Sequence, residues 1–335
     1  MKFTTIKDIA KKLGITHQTV SRALNNDPRV SRETAAKIKA LAVKMSYFPN
    51  TAARGLARAK SNTIAIITFS YFSHFPTRLM RGIELTIRKT RFDMDYYTTQ
   101  KYTFTGPDGK DSYIFEKILD ERKADAVILM SVGMPEKTLE NYKKAGIHVV
   151  FIENTGTWGH RVHYDNVKAA ELAVNHLVER KRKNIGMLVG NTKYVGSFGE
   201  RLEGFKKAMH SHGLAADDRN IFEFLEEPPN VGKIALDFFL KNKIDAVYFA
   251  ASDPHMLEVL VEARKRGLKV PDDLALVSQD DADLPLAADV TAIRQPLGEM
   301  GRKAAEIAIR AIEENDLKNM RDEMFYPELI VRKST

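Results

Sequence analysis

In the first part of the chain, apolar residues recur every three or four positions, which is the spacing of one buried helical face. This spacing predicts three short helices, and Thr5, Thr16 and Ser31 stand where helix N-caps are expected. Asp8 completes a capping box with Thr5, and Gly14 ends the first helix because glycine adopts a left-handed backbone freely. The apolar stripes comprise Ile6, Ile9, Ala10 and Leu13, then Val20, Ala23 and Leu24, then Ala35, Ile38, Leu41, Ala42 and Met45.

From residue 61 onward, the pattern changes to short, continuous apolar runs separated by longer amphipathic segments. Such runs are typical of strands covered on both faces, as in parallel sheets between helices. Two series of runs predict two similar α/β lobes, so the fold class is α/β, with an N-terminal all-α helix-turn-helix domain and a two-lobed, doubly wound parallel-sheet core. Strands are predicted at residues 63–69, 126–130, 148–152, 184–189, 246–250, 274–278 and 325–331, and helices at 77–90, 166–181 and 198–212.

Charge separates the two parts of the chain. Residues 1–60 carry 13 lysines and arginines against three acidic residues, a net charge of +10, whereas the whole chain is +8. Residues 61–335 therefore sum to −2. A basic domain on a weakly acidic body indicates that the first part binds a polyanion such as double-stranded DNA. On charge alone, a solvated basic face without a partner is the alternative.

The first two predicted helices are joined by a tight turn with a glycine, as in the helix-turn-helix motif. In that motif, the N-terminal residues of the second helix enter the major groove. Arginine bonds guanine bidentately and glutamine does so with adenine, so Gln18 and Arg22 are candidate readers of base edges. A helical bundle with a polar face would have the same caps and stripes, but it does not explain these residue types. The candidate DNA-binding residues of the head are Thr5, Thr16, His17, Gln18, Thr19, Ser21, Arg22, Asn25 and Arg29.

Several ordered runs resemble the LacI/GalR family of bacterial transcription regulators, and the resemblance covers nearly the whole chain. In the head, the runs are Thr5-Ile6-Lys7-Asp8-Ile9-Ala10, Thr19-Val20-Ser21-Arg22-Ala23-Leu24-Asn25, Val30-Ser31-Arg32-Glu33-Thr34, Tyr47-Phe48-Pro49-Asn50 and Ala53-Arg54-Gly55-Leu56. In the core, they are Tyr164-Asp165-Asn166, Arg201-Leu202-Glu203-Gly204-Phe205, Ser252-Asp253, Val270-Pro271-Asp272-Asp273 and Gln279-Asp280-Asp281. The resemblance implies a repressor that binds a pseudo-palindromic operator as a homodimer under the control of a small-molecule effector.

The resemblance also implies the domain organisation. The helix-turn-helix domain is expected over residues 1–48, a hinge over 49–61, and a periplasmic-binding-protein-like core over 62–335. In such a core the chain passes between the lobes three times, and we place the crossings near residues 159–163, 290–292 and 320–324. The N-lobe would then comprise about 62–159 and 293–320, and the C-lobe about 160–292 and 321–335.

The hinge is rich in alanine and basic residues over 50–60, which predicts a helix too short to persist in water on its own. Gly55 weakens that helix by about 1 kcal/mol relative to alanine. The resemblance implies that paired hinge helices form on DNA, with Leu56 wedged between central base pairs in the minor groove. Asn50 and Ala53 belong to the same candidate surface. A disordered linker with an incidental leucine is the alternative.

The resemblance assigns Arg201 and Asp280 to an effector pocket between the lobes. A buried guanidinium and carboxylate are costly unless paired, so the two residues form either a salt bridge or a site for a polar ligand. Asp253 is equally compatible with a helix N-cap. The candidate effector-binding residues are Phe69, Ser70, Tyr71, Phe72, Phe75, Glu153, Arg201, Ser252, Asp253 and Asp280.

A sugar or sugar derivative is the effector that the resemblance implies. Two departures from the family pattern, at residues 254–258 and 100–109, leave open a nucleobase or another non-sugar metabolite. Aromatic side chains in the pocket would stack on either a sugar ring or a planar base. The sequence does not choose between them.

Other classes of protein fit less well. The chain has no cysteine, which excludes disulfides, thiolate nucleophiles and cysteine-liganded zinc. It contains no apolar run of about 20 residues and no apolar N-terminal leader, so a cytoplasmic protein without membrane contact is expected. No glycine-rich nucleotide loop or nucleophile elbow occurs, and we expect no enzyme activity, metal or cofactor. A secreted solute receptor and a sugar-active enzyme on the same fold are the alternatives.

Overall fold

The computed structural model describes residues 4–47, 60–69, 74–99, 112–154, 156–193, 196–224, 229–251 and 253–335. The chain forms two compact units, Met1–Ala59 and Lys60–Thr335, which we call the head and the core. Within the described residues, no helix is long and apolar enough to span a membrane.

The head consists of three helices, α1 (Ile6–Leu13), α2 (His17–Leu24) and α3 (Arg32–Lys44). Their boundaries follow local chemistry, as predicted. Thr5 and Asp8 form the capping box, Gly14 takes a left-handed φ of 65°, and the Thr16 and Ser31 side chains accept from Thr19 N and Thr34 N. The buried centre comprises Ile9, Ala10, Val20, Ala23, Ile38 and Ala42.

The core contains two six-stranded sheets. The first, in the order β11-β5-β4-β3-β1-β2, is entirely parallel. The second, in the order β12-β10-β9-β8-β6-β7, is parallel except for β12, which runs antiparallel to β10. The strands are β1 (Thr63–Thr68), β2 (Asp93–Thr98), β3 (Ala126–Met130), β4 (His148–Ile152), β5 (His160–Tyr164), β6 (Ile185–Val189), β7 (Ile221–Glu223), β8 (Ala246–Phe249), β9 (Ala275–Gln279), β10 (Thr291–Arg294), β11 (Asp322–Phe325) and β12 (Glu328–Ile330).

Helices connect most of these strands, as the apolar pattern of the chain predicts. They are α4 (His74–Ile87), α5 (Ser112–Asp120), α6 (Glu136–Ala145), α7 (Asn166–Glu179), α8 (Gly196–Ser211), α9 (Val231–Lys241), α10 (Asp253–Lys265), α11 (Asp283–Ala287) and α12 (Leu297–Glu314). The central strands β3, β4, β6, β8 and β9 are buried along their whole length. Continuous burial explains why they read as uninterrupted apolar runs in the sequence.

Helices α4 and α12 pack closely because glycines face each other across the contact. A Cβ atom at Gly82 would lie 2.0 Å from the Gly298 carbonyl oxygen, and one at Gly301 would lie 2.1 Å from the Leu79 carbonyl oxygen. Only a residue without a side chain allows two helix backbones to approach this far. The contact fixes α4 against α12 in the first lobe.

The three crossings between the lobes lie further along the chain than we predicted. The chain leaves the first sheet after Tyr164, returns to it after Arg294, and crosses again between Phe325 and Glu328. Residues 160–164 and 322–325 therefore belong to the first lobe, and residues 293–294 belong to the second. The single strand predicted at 325–331 is instead two short strands, β11 and β12, in different sheets. The sequence HRVHY of β5 alternates between buried and half-buried side chains and carries little of the apolar signal of a central strand.

Candidate nucleic-acid interface and effector cleft

Helix α2 presents a polar face opposite the buried Val20 and Ala23. His17, Gln18 and Arg22 are exposed on that face, which leaves their hydrogen-bonding groups accessible to a ligand of the head. Their exposure follows from the 3.6-residue period of the helix, which places them on the side opposite the buried Val20 and Ala23. The two side chains predicted to read bases, Gln18 and Arg22, therefore lie on the same accessible surface.

Two other candidates have roles in the structure of the head itself. The Thr16 hydroxyl accepts a hydrogen bond from Thr19 N at 3.1 Å and lies 2.9 Å from the Thr19 hydroxyl. Both threonines are thus engaged at the start of α2. An open depression of about 440 Å³ lies at this helix end, and Lys7, which the sequence analysis did not single out, lines it together with Thr16, His17 and Gln18.

The remaining candidates of the head are held by local contacts. The Asn25 side chain donates to Ser21 O at 2.8 Å at the end of α2. Arg29 forms an ion pair with Asp27 at 2.7 Å, and this contact lowers the pKa of the Asp27 carboxyl to about 2. Arg29 is accessible, but a phosphate would have to compete with Asp27 for it. The hinge candidates Asn50, Ala53 and Leu56 lie outside the described residues.

In the core, candidate effector residues from both lobes meet through Asn166, the first residue of α7. The Asn166 amide nitrogen donates to Glu153 Oε2 at 2.8 Å and to Glu200 Oε2 at 3.0 Å. Its amide oxygen accepts from Arg201 Nε at 2.8 Å, and Arg201 Nη1 donates to Ala250 O at 2.8 Å. Glu153 belongs to the first lobe and Arg201 to the second, so this network spans the cleft between the lobes. Glu153 and Arg201 were predicted from the sequence, whereas Asn166 and Glu200 were not.

Backbone geometry places the carboxylates of the cleft. Glu153 follows β4 and Asp280 follows β9, and both have left-handed φ values, 56° and 71°. This conformation is strained for residues other than glycine, at a cost of order 1 kcal/mol each. A hydrogen bond from each backbone N–H to the neighbouring strand holds it, from Glu153 to Val162 O and from Asp280 to Ile293 O. The two carboxylates thus take corresponding positions at the carboxyl ends of the two sheets, where ligands bind in open α/β folds.

Burial dominates the electrostatics of these carboxylates. It raises the pKa of Glu153 to about 7, although the Asn166 hydrogen bond and the Arg201 charge act in the opposite direction. Burial also raises the pKa of Asp280, against the charges of Arg201 and His74. Within the described part of the chain, Glu153 Oε1 and Asp280 Oδ1 are buried without a hydrogen-bond partner. A polar ligand in the cleft would supply what these two oxygens lack.

The aromatic candidates divide between the core and residues that are not described. Phe69 and Phe75 are partly buried and pack against hydrophobic clusters of the core. Ser70, Tyr71, Phe72 and Ser252 lie outside the described residues. Asp253 is the first residue of α10. His74, at the start of α4, is a further residue that sequence reasoning missed, and its charge interaction with Asp280 joins the two lobes.

The raised pKa of Glu153 leads to a prediction about stability. When an acidic group has a higher pKa in the folded than in the unfolded state, the folded protein loses stability as pH rises. For Glu153 this loss occurs between the unfolded value of 4.5 and about 7. This loss is at most about 3 kcal/mol, since one pKa unit is worth 1.36 kcal/mol. The Glu153→Gln variant should therefore be more stable than the parent at pH 8 and similar to it at pH 4.5. Urea unfolding of both proteins across this pH range measures the difference, and parallel pH profiles would contradict it.

A helix-turn-helix head on a two-sheet core with a polar cleft defines a class of protein, the ligand-responsive transcription regulators. Three family models match this chain. "Bacterial regulatory proteins, lacI family" matches residues 5–50, "Periplasmic binding proteins and sugar binding domain of LacI family" matches 82–232, and "Periplasmic binding protein-like domain" matches 174–335. The chain belongs to the LacI family of bacterial transcription regulators.

Named relatives align along nearly the whole chain. The HTH-type transcriptional regulator DegA of Bacillus subtilis is 28% identical over 340 residues, which cover 99% of this chain and 98% of DegA. The HTH-type transcriptional repressor CytR of Escherichia coli is 29% identical over 343 residues, which cover 99% of this chain and 96% of CytR. These relatives are regulators rather than enzymes.

Solved structures have the same fold. The lac repressor dimer bound to operator and the anti-inducer ONPF has a TM-score of 0.82 at 20% identity and covers 99% of both chains. The transcriptional regulator CelR in complex with cellobiose has a TM-score of 0.71 at 22% identity, over 99% of this chain and 100% of CelR. Both similarities extend over the head and the core.

Proposed function

We propose that this regulator is a cytoplasmic repressor that binds a two-fold symmetric operator and responds to a small molecule bound in the cleft. The observation that carries the proposal is the network of Glu153, Asn166 and Arg201, which joins the two lobes at the carboxyl ends of their sheets. A ligand that contacts Glu153 on one side and Arg201 on the other would alter the relative position of the lobes. The sequence and structure contain the parts of a sensor.

The nature of the ligand follows from the same network. Carboxylates accept hydrogen bonds, and a sugar or sugar derivative offers several hydroxyl donors within a small volume. The CelR structure contains cellobiose, and the lac repressor structure contains the anti-inducer ONPF. We therefore favour a sugar derivative over a nucleobase for this cleft.

Coupling between the cleft and DNA must be reciprocal. If the ligand lowers the affinity for the operator by some factor, the operator lowers the affinity for the ligand by the same factor. A symmetric operator also needs two heads, so we propose a homodimer. Exposed apolar side chains on the first lobe, Leu85 on α4 and Tyr96 on β2, are available for contact between subunits.

The Arg22→Ala variant tests the role of the head. We expect it to bind the operator roughly 10- to 100-fold more weakly, because one base contact contributes about 1–3 kcal/mol. The measurement is a titration of a duplex that the full chain selects from a randomised pool, at several salt concentrations. Parent affinity should fall steeply with salt, since several phosphates are neutralised by the head.

Arg88→Ala is the matched control for this experiment. Arg88 is exposed on the core and its replacement removes the same charge from the protein. Unchanged affinity in Arg88→Ala and weak binding in Arg22→Ala would support base reading by α2. Equal losses in the two variants would mean that only overall charge matters, and no loss in either would contradict the assignment of α2.

A further inference from the structure

The buried part of the cleft holds more acidic than basic groups. The buried acidic groups Glu153 and Asp280 both interact with the guanidinium of Arg201, which is 5% exposed. Two of the three guanidinium nitrogens of Arg201 already donate, Nε to Asn166 and Nη1 to Ala250 O. Burial lowers the pKa of His74, the other basic group that acts on Asp280. Among the described residues, Arg201 therefore offsets two buried acidic groups.

The carboxylates are also incompletely hydrogen-bonded. Asn166 donates to one oxygen of Glu153 and to one oxygen of Glu200. Among the described residues, Glu153 Oε1 and Asp280 Oδ1 are buried and accept no hydrogen bond. These two oxygens come from opposite lobes, since Glu153 follows β4 and Asp280 follows β9.

The charge of a ligand decides the cost of enclosing it here. A neutral ligand would remove the two acidic groups further from water, which favours their protonated form and supplies no cation to either of them. A phosphate or carboxylate group would place negative charge beside two buried acidic groups. A protonated amine both donates hydrogen bonds and carries the charge that the cleft lacks.

We propose that the effector of this cleft is a small polyhydroxylated amine, such as an amino sugar, whose ammonium group lies between the carboxylates of Glu153 and Asp280. Its hydroxyl groups face Arg201 and Asn166. The inference deepens the proposed function and rests on it, since it takes the cleft as the effector site. It separates amines from neutral sugars and sugar phosphates as ligands of the same cleft.

Thermal unfolding of the full chain with matched compounds tests the inference. The probes are glucosamine, galactosamine and mannosamine, each compared with its parent hexose, its N-acetyl derivative and the corresponding hexose 6-phosphate. A ligand that binds only the folded protein raises the unfolding temperature. We expect a rise with at least one amine and none with its neutral or phosphorylated counterparts. A larger rise with a neutral or phosphorylated member, or no rise with any amine, would overturn the proposal.

Two variants assign the effect to the cleft. Glu153→Gln keeps the size of the side chain and removes the charge, and should weaken binding of the amine at least about tenfold, since a charge-assisted hydrogen bond is replaced by a neutral one. Glu203→Gln, an exposed position on the same helix as Arg201, should bind like the parent. Equal binding by the parent and Glu153→Gln would overturn the placement of the ammonium group.

Operator titration distinguishes failure of this inference from failure of the proposed function. If the parent binds its selected duplex and no amine changes that affinity, the assignment of an amine effector is wrong, but the proposed function as a DNA-binding regulator stands. If the parent selects no duplex, the proposed function itself is wrong. Release of the duplex by an amine in the parent but not in Glu153→Gln would support both.

Discussion

The Arg201→Ala variant should lose its response to the effector, and its free energy of unfolding should be about 3–5 kcal/mol lower than that of the parent. The guanidinium is buried and donates to Asn166 Oδ1 and Ala250 O, both at 2.8 Å. Its removal leaves these acceptors unpaired and the carboxylates of the cleft without their cation, and breaking a buried charged network in this way costs several kcal/mol. Urea unfolding measures the loss of stability, and operator titration with and without effector measures the loss of response.

Two further variants separate charge from geometry. Arg201→Lys retains the positive charge but cannot reproduce two donors in fixed directions, so it should recover part of the stability and little of the response. In the double variant Arg201→Ala with Glu153→Gln, one uncompensated carboxylate is gone, and the combined loss should be smaller than the sum of the single losses. Strict additivity would mean that Glu153 and Arg201 do not interact.

The Gly301→Ala variant should destabilise the core by about 1–3 kcal/mol or more, as expected for an overpacked contact that needs backbone movement. The added methyl group would lie 2.1 Å from the Leu79 carbonyl oxygen, and backbone cannot move aside as a flexible side chain can. Gly298→Ala is the matched control on the same helix, because nothing lies within 4 Å of a Cβ atom there. Thermal unfolding of the two variants should differ clearly, and similar unfolding temperatures would contradict the close approach of α4 and α12.

This helix contact also concerns the cleft. Helix α4 begins with His74, which interacts with Asp280, and it carries Arg78, which pairs with Asp283 of the second lobe at 2.5 Å. Displacement of α4 by the Gly301→Ala methyl group would disturb this charge interaction and this ion pair between the lobes. We therefore expect Gly301→Ala to change the affinity for effector as well as stability.

The head was predictable from its sequence because its boundaries depend on neighbours in the chain. The Thr5 capping box, the left-handed Gly14 and the Ser31 cap act over three or four residues. The central strands were predictable for a similar reason, since continuous burial gives continuous apolar runs. Strand β5 was missed because its polar side chains alternate with buried ones, and the ends of the chain's last two strands depend on which sheet each one joins.

The candidate site was predictable only in part. Arg201, Asp280 and Glu153 were expected in the cleft, and the structure gives charge interactions of Arg201 with both acids. Asn166 belongs to a run that resembles the family, but its role depends on contacts 13 to 35 residues away in the chain. No periodicity or short motif encodes such contacts. The same holds for His74, which meets Asp280 only because two lobes face each other.

The three crossings also determine how the core can move. The strands that lead into them are neighbours, since β5 pairs with β11 and β10 pairs with β12. Hydrogen bonds join the crossings directly, from the Tyr164 hydroxyl to Arg294 O and from Asp165 N to Phe325 O. Three neighbouring crossings joined by hydrogen bonds resist sliding and twisting of one lobe against the other. Hinge rotation about the line through the crossings is then the easiest motion of the lobes. The size of a molecule bound in the cleft would therefore set the hinge angle between the two lobes.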